Sequence, residues 1–207
     1  GEGMGEEQLR DEVLITFFAG HERTAQLLTW AWYLLSQHPE VEARFHAELE
    51  DKLGGQAPGT DDIERLTYTR MIMDETLRLY APVALMARDA LEDDEVGGYQ
   101  VPAGAIVTLT PYATHRHPEF WARPLAFYPD HFVPEKVESR PRYAYYPFGA
   151  GSRICLGKHF ALLEGALVLA EVGQRHRPRL VPGQEIKSHW SATLRPDSDV
   201  MMVLEER

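Results

Sequence analysis

The sequence predicts a mainly α chain with a small β component, an α+β fold whose helices and strands are segregated along the polypeptide. Helical periodicity fills the first third, and a second long helical run lies near the C-terminus. Strand-like segments with paired turn residues occur only after Arg88 and again after about Leu180. Size and composition set the class: 207 residues, 44% apolar and 26% charged, bury a sizeable core and are too apolar for a disordered chain. No glycine period or self-similar repeat is present, which excludes collagen-like and solenoid architectures. Residues 1–207 read as one domain.

The opening GEGMGEEQLR is acidic and glycine-rich, unlike a secretory signal. The first helix runs from about Gln8 to Ser36. Its stretch Val13 to Leu35 has membrane-spanning length, but His21, Glu22 and Arg23 at the centre are each costly in lipid, so it reads as a buried soluble helix with a polar interruption. Pro39 stops it and suits the first turn of a second helix, Glu40 to Leu53, closed by Gly54 and Gly55. A third helix, about Thr69 to Tyr80, ends before Pro82. Val96, the Gly97-Gly98 turn, Tyr99 to Val101, the Pro102-Ala103-Gly104 turn and Ala105 to Leu109 read as a β hairpin. A short helix follows near Thr110 to His115. Residues 117 to 154 carry many prolines and aromatics and show neither period, so they form a long irregular but packed segment of functional character. A last helix, about Leu156 to Gln174, precedes a hairpin pair around Leu180 to Glu205.

Lys and Arg total 21 against 32 Asp and Glu, a net charge of −11. An acidic surface of that size repels phosphate backbones and anionic membranes, so nucleic acid is excluded as a partner. One cysteine forms no internal disulfide and no all-cysteine metal cage, which fits a reducing, cytoplasmic setting.

That cysteine carries the most chemistry. It lies in Phe148-Gly149-Ala150-Gly151-Ser152-Arg153-Ile154-Cys155-Leu156-Gly157, where an irregular loop enters a helix, and unpaired N–H groups with the positive dipole end favour a thiolate. A thiolate binds iron. Gly149, Gly151 and Gly157 let backbone approach a flat ligand, Phe148 walls the sulfur from water, and Arg153 offers a fork for a carboxylate. FxxGxRxCxG resembles the haem-binding signature of the cytochrome P450 family at all five specified positions, and Phe160, Ala161 and Glu164 match the usual continuation of the helix.

The resemblance implies the C-terminal half of that fold, from the oxygen-binding helix to the C-terminal β hairpin, with the N-terminal half absent. It implies heme b (iron protoporphyrin IX), with Cys155 as axial ligand whose electron donation favours O–O cleavage. It further implies a monooxygenase that inserts one oxygen atom of O2 into a hydrophobic small molecule. Phe148, Gly151, Arg153, Cys155 and Gly157 become cofactor-binding residues, with Cys155 the metal ligand. Arg88, in the strand segment after the third helix, becomes a second propionate candidate. Glu75 and Arg78, alone an ordinary surface pair three residues apart, become a buried brace for the loop before Cys155. Pro82 to Met86 and Ser191-Ala192-Thr193-Leu194-Arg195-Pro196 resemble two substrate-contact loops, apolar or small where they face a ligand.

Two positions depart from the family pattern. Ala19-Gly20-His21-Glu22-Arg23-Thr24 resembles the oxygen-binding helix, but Arg23 holds the place of a threonine, and Thr24 is displaced by 100° around the helix. Glu22, Arg23 and Thr24 are thus the catalytic candidates. Either Glu22 and Thr24 suffice for proton delivery in a monooxygenase, or Arg23 binds a substrate carboxylate and the chemistry runs from peroxide. Second, His131 in Pro129-Asp130-His131-Phe132 stands where an arginine usually completes the brace, and an imidazole still donates to Glu75.

Rival chemistry is sparse. Cys155 and His159 make half a zinc site at most, Ala25 replaces the second histidine of HExxH, and Gly1, Gly3 and Gly5 lack the strand and third glycine of a nucleotide loop. The rival of another class is a haem-free, inactive fragment. No Asp or Glu occurs from Ser139 to Leu163, while Arg140, Arg142, Arg153, Lys158 and His159 do. That basic patch suits an acidic ferredoxin, flavodoxin-type or flavoprotein reductase donor fed by NAD(P)H.

Overall fold

A computed structural model describes residues 3–191 and 193–207. Helix α1 spans Glu6–Gln37, with Glu6 and Glu7 opposite the positive dipole end, and α2 follows over Pro39–Leu53 with Pro39 in its first turn. Gly54, at φ 54°, ends α2 in the left-handed conformation and returns its N–H to Glu50. Helix α3, Thr67–Leu79, starts two residues before the sequence-predicted position. The reason lies on another element: the Glu48 carboxylate of α2 accepts from the N–H groups of Tyr68 at 2.6 Å and Thr69 at 2.7 Å. Such a cap through space leaves no local pattern.

Among the described residues, eight strands form four two-stranded antiparallel ribbons. β1, Met86–Asp89, pairs with β4, Ile106–Leu109, and β2, Asp94–Val96, pairs with β3, Tyr99–Val101, across Gly97 and Gly98 at φ 60° and 86°. The glycine turn is as the sequence predicts. The hairpin across Pro102-Ala103-Gly104 is not formed: β4 returns to β1, whose ladder Ala90 and Ala105 extend by a 2.9 Å bond. After the one-turn helix α4, Pro111–Thr114, the 117–154 segment holds a 3₁₀ turn at Pro129–Phe132, the short helix α5 at Pro134–Ser139 and a second 3₁₀ turn at Gly151–Arg153. Helix α6, Lys158–Arg175, leads into β5, His176–Leu180, paired with β8, Met202–Glu206; β6, Ser188–Trp190, and β7, Leu194–Pro196, pair between them.

The core is helical. Leu27, Ala31 and Leu34 of α1, Phe45 and Leu49 of α2, Ile72, Met73 and Leu77 of α3, and Ala166, Leu169 and Ala170 of α6 are buried together. Two glycines let α6 approach closely. A Cβ at Gly165 would lie 2.6 Å from Met73 Cε, and one at Gly173 would lie 2.5 Å from Phe45 Cε1. This packing fixes the start of α6, and with it the cysteine loop, against α1 and α3.

Candidate active site

An apolar cleft of about 230 Å³ opens where three elements and a loop converge. α1 supplies Ala19, Gly20, Arg23, Thr24 and Leu27, and α3 supplies Leu77. Pro82, Val83 and Met86 form another side, and the cysteine loop with the first turns of α6 closes the floor. Of the sequence-predicted residues, Arg23, Thr24, Phe148, Arg153, Cys155 and Gly157 all line it.

The cysteine loop is shaped by its own backbone. Gly149 at φ 74° and Gly151 at φ 67° take conformations that side chains disfavour. The Gly149 N–H donates to Tyr146 and the Cys155 N–H to Phe148 at 2.9 Å, so the chain doubles back and presents the sulfur. Cys155 is exposed to the cleft. The helix begins two residues later than the sequence predicts, at Lys158 after the cap residue Gly157, which places Cys155 in the loop itself. Among the described residues, no group of three His, Cys, Asp or Glu side chains gathers as a metal cage, so the half-site Cys155 and His159 stays half.

On α1, Arg23 and Thr24 both reach the cleft although they differ by 100° around the helix. The cleft wraps this part of α1 widely enough to take both. Thr24 is buried and donates to the Gly20 carbonyl at 3.3 Å; the exposed Arg23 makes a long 3.4 Å bond to Ala19. Glu22 is not in the lining, and its carboxylate accepts from Thr193 Oγ1 at 2.8 Å. Arg88 and Gly151 are also outside it: Arg88 is exposed on β1 and donates to Ala87 at 2.7 Å. In the second predicted substrate loop, Ala192 lies outside the described residues, and none of Ser191, Thr193, Leu194, Arg195 and Pro196 lines the cleft.

Beneath the loop sits the brace. Arg78, fully buried, forks onto Glu75 and donates to the carbonyls of His115, Pro124 and Ala126 at 2.7–2.8 Å. Glu75 also accepts from the Tyr128 N–H at 2.8 Å and His131 Nδ1 at 3.1 Å. A carboxylate only accepts, so the His131 proton is on Nδ1. Arg140, expected in the docking patch, instead donates to the His131 carbonyl and covers the Trp121 ring at 3.9 Å. Burial lowers its pKa.

Three site-building residues are not among the candidates read from the sequence. Leu27 and Leu77 line the cleft, and helical spacing from Gly20 and Thr24 points to Leu27. His115, completely buried, accepts from the Tyr146 N–H through Nε2 at 2.9 Å and so links the brace to the loop. Burial first, then the Arg78 cation, pulls its pKa down to about 3, which keeps it neutral.

The chain is similar to known proteins. The family profile Cytochrome P450 matches residues 1–202. Cyclooctatin synthase of Streptomyces melanosporofaciens is 42% identical over 187 residues, 90% of this chain and 41% of its own length. Human cytochrome P450 4V2 is 37% identical across the whole chain and 40% of its own. The crystal structure of the cytochrome P450DA heme domain superposes with a TM-score of 0.93 at 36% identity, covering 100% of this chain and 46% of that one. The chain thus spans less than half the length of these relatives. The profile match over nearly its whole length, with the fold it shares, places the chain in the cytochrome P450 family.

Proposed function

We propose that the protein to which this chain belongs is a haem-thiolate monooxygenase that inserts one oxygen atom of O2 into a hydrophobic small molecule, with electrons from an NAD(P)H-linked partner. The observation that carries this is the Cys155 sulfur on the floor of an apolar cleft, facing α1 at Gly20, Arg23 and Thr24. Relatives include a protein named cyclooctat-9-en-7-ol 5-monooxygenase, 39% identical over 183 residues, which supports the reaction type.

The residues present fit a haem, and heme b is the form we assign. The thiol is a soft donor, Phe148 and Leu77 are apolar walls, Arg153 offers a guanidinium for a carboxylate, and a Cβ at Gly157 would come within 3.9 Å of the sulfur. When bound, the group supplies oxygen activation, helped by thiolate electron donation. Cys155 would hold the iron, and the bond from its N–H to the Phe148 carbonyl fixes the backbone from which the sulfur projects. Pro82, Val83, Met86 and Phe160 bind apolar substrate and exclude water. Thr24 holds the hydroxyl nearest in the lining to the replaced position; its proton goes to the Gly20 carbonyl, and its oxygen lone pairs are left to accept from water in the cleft.

Arg23 in the lining favours a second reading, in which its guanidinium holds a substrate carboxylate and peroxide replaces O2 and the electron donor. The experiment is the reduced, carbon-monoxide-bound spectrum of the haem-loaded complete protein beside Cys155→Ala, followed by turnover with peroxide alone and with NAD(P)H and a reductase. A strongly red-shifted Soret band lost in the variant is expected, with product only from NAD(P)H. Product from peroxide alone selects the second reading, and no such band in the parent supports a haem-free protein.

A further inference from the structure

Glu22 precedes Arg23 on α1, yet it is absent from the cleft lining. Its Oε1 accepts from Thr193 Oγ1 at 2.8 Å across 171 residues, and Thr193 is 3% exposed. A hydroxyl has a single proton to donate, so the one given to Glu22 is not available to water inside the cleft.

Two further long-range bonds hold the same turn. The Leu194 N–H donates to the Pro82 carbonyl at 2.9 Å, and the Leu194 carbonyl accepts from Trp30 Nε1 at 3.4 Å. Trp30 is fully buried and stacks on Tyr80 with centroids 3.8 Å apart and planes 7° apart, a rigid anchor. Pro82 itself lines the cleft, with Val83 and Met86 next to it. Residues 193 and 194 therefore clip the 82–86 segment onto α1, and Glu22 supplies the clip's carboxylate.

We propose that Glu22 is a positioning residue: it latches the Thr193-Leu194 turn onto α1, fixes the wall made by Pro82, Val83 and Met86, and so helps decide which apolar substrate the cleft accepts. The inference rests on the cleft being the substrate site. Bonds to a carboxylate are stronger than neutral ones, so losing this one loosens a turn otherwise tied to its neighbours by the Pro82 carbonyl and the Trp30 indole.

The test is amide hydrogen exchange at Leu194, whose N–H reports the bond to Pro82, in the haem-loaded complete protein. Glu22→Gln keeps an oxygen acceptor and leaves exchange within about twofold of the parent. Glu22→Ala and Thr193→Val each speed it roughly tenfold, and combining them adds little because they remove one bond. The dissociation constant of 4-phenylimidazole, an apolar azole probe, rises in those two variants and not in Glu22→Gln. Unchanged exchange in Thr193→Val, or an equal acceleration in Glu22→Gln and Glu22→Ala, overturns the latch. Thr193→Ser keeps the hydroxyl and retains slow exchange; lost protection there also overturns it, which covers a Glu22→Ala that does not fold. Exchange at Leu194 is independent of the haem-thiolate assignment, which the carbon monoxide spectrum tests separately.

Discussion

Arg78 and Glu75 are joined by two parallel hydrogen bonds, Nε to Oε2 at 2.8 Å and Nη2 to Oε1 at 2.7 Å, with neither side chain exposed. Three more bonds run from the same guanidinium to carbonyls of the irregular segment. Removing Glu75 leaves the Arg78 cation buried and orphans the Tyr128 and His131 donors, while removing Arg78 leaves the Glu75 carboxylate buried and orphans three carbonyls. Glu75→Ala is therefore expected to cost about 3–5 kcal/mol in denaturant unfolding. Arg78→Lys fares little better, since an ammonium cannot reproduce the fork. A loss below about 1 kcal/mol in either variant contradicts a bracing role.

His115 gives a pH dependence of fixed sign. Its pKa falls from 6.5 to about 3 on folding, by burial and by Arg78. Between those values the unfolded chain holds a proton that the folded chain refuses, so stability is complete above about pH 6.5 and declines as pH drops toward 3. His46, lowered to about 4 by burial and Arg207, acts in the same direction. His115→Gln keeps an acceptor for Tyr146 and removes one proton from the slope, about 1.4 kcal/mol per pH unit. Urea midpoints measured from pH 7 to 4 check it: equal slopes in parent and variant contradict the assignment.

The two close-approach glycines of α6 differ in what they face. A Cβ at Gly173 meets Phe45 at 2.5 and 2.7 Å and Leu49 at 3.0 Å, whereas at Gly165 the nearest atom is the terminal methyl of Met73. An aromatic ring in a full core does not move aside; a methionine does. Gly173→Ala is expected to destabilise by about 1–3 kcal/mol despite alanine's better helix propensity, and Gly165→Ala by clearly less. Thermal midpoints of the pair decide it, and the reverse order contradicts the packing.

Arg23→Thr restores a hydroxyl at the displaced position. For a monooxygenase, more product per NAD(P)H consumed is expected, because a hydroxyl orders the water that a guanidinium displaces. A variant that loses all turnover, and with it product from peroxide, instead favours the carboxylate-binding reading.

The surface proposed to dock an electron donor is narrower than the charge run implies. Arg140 is spent on His131 and Trp121, and Arg153 lines the cleft, which leaves Arg142, Lys158 and His159 of that run for a partner. Reduction rates by an acidic ferredoxin are expected to fall with salt and to drop in Arg142→Ala but not in Arg140→Lys. Rates that ignore salt contradict an electrostatic dock.

The sequence by itself determined the long helices, the Gly97-Gly98 turn and the cysteine motif, because each is written in residues close along the chain: apolar spacing, proline and glycine stops, and five matched positions within ten residues. It also marked Arg23 and Thr24, through a local motif in α1. The tertiary structure decided the rest. Whether β4 pairs with β3 or β1, where α3 starts under Glu48, and whether Glu22 serves the cleft or Thr193 all depend on groups distant in sequence. The same holds for His115, unremarkable until burial beside Arg78 makes it a neutral acceptor for the loop that presents Cys155. Local spacing fixes which backbone forms, but a side chain's partner is chosen by what packing brings within about 3 Å of it.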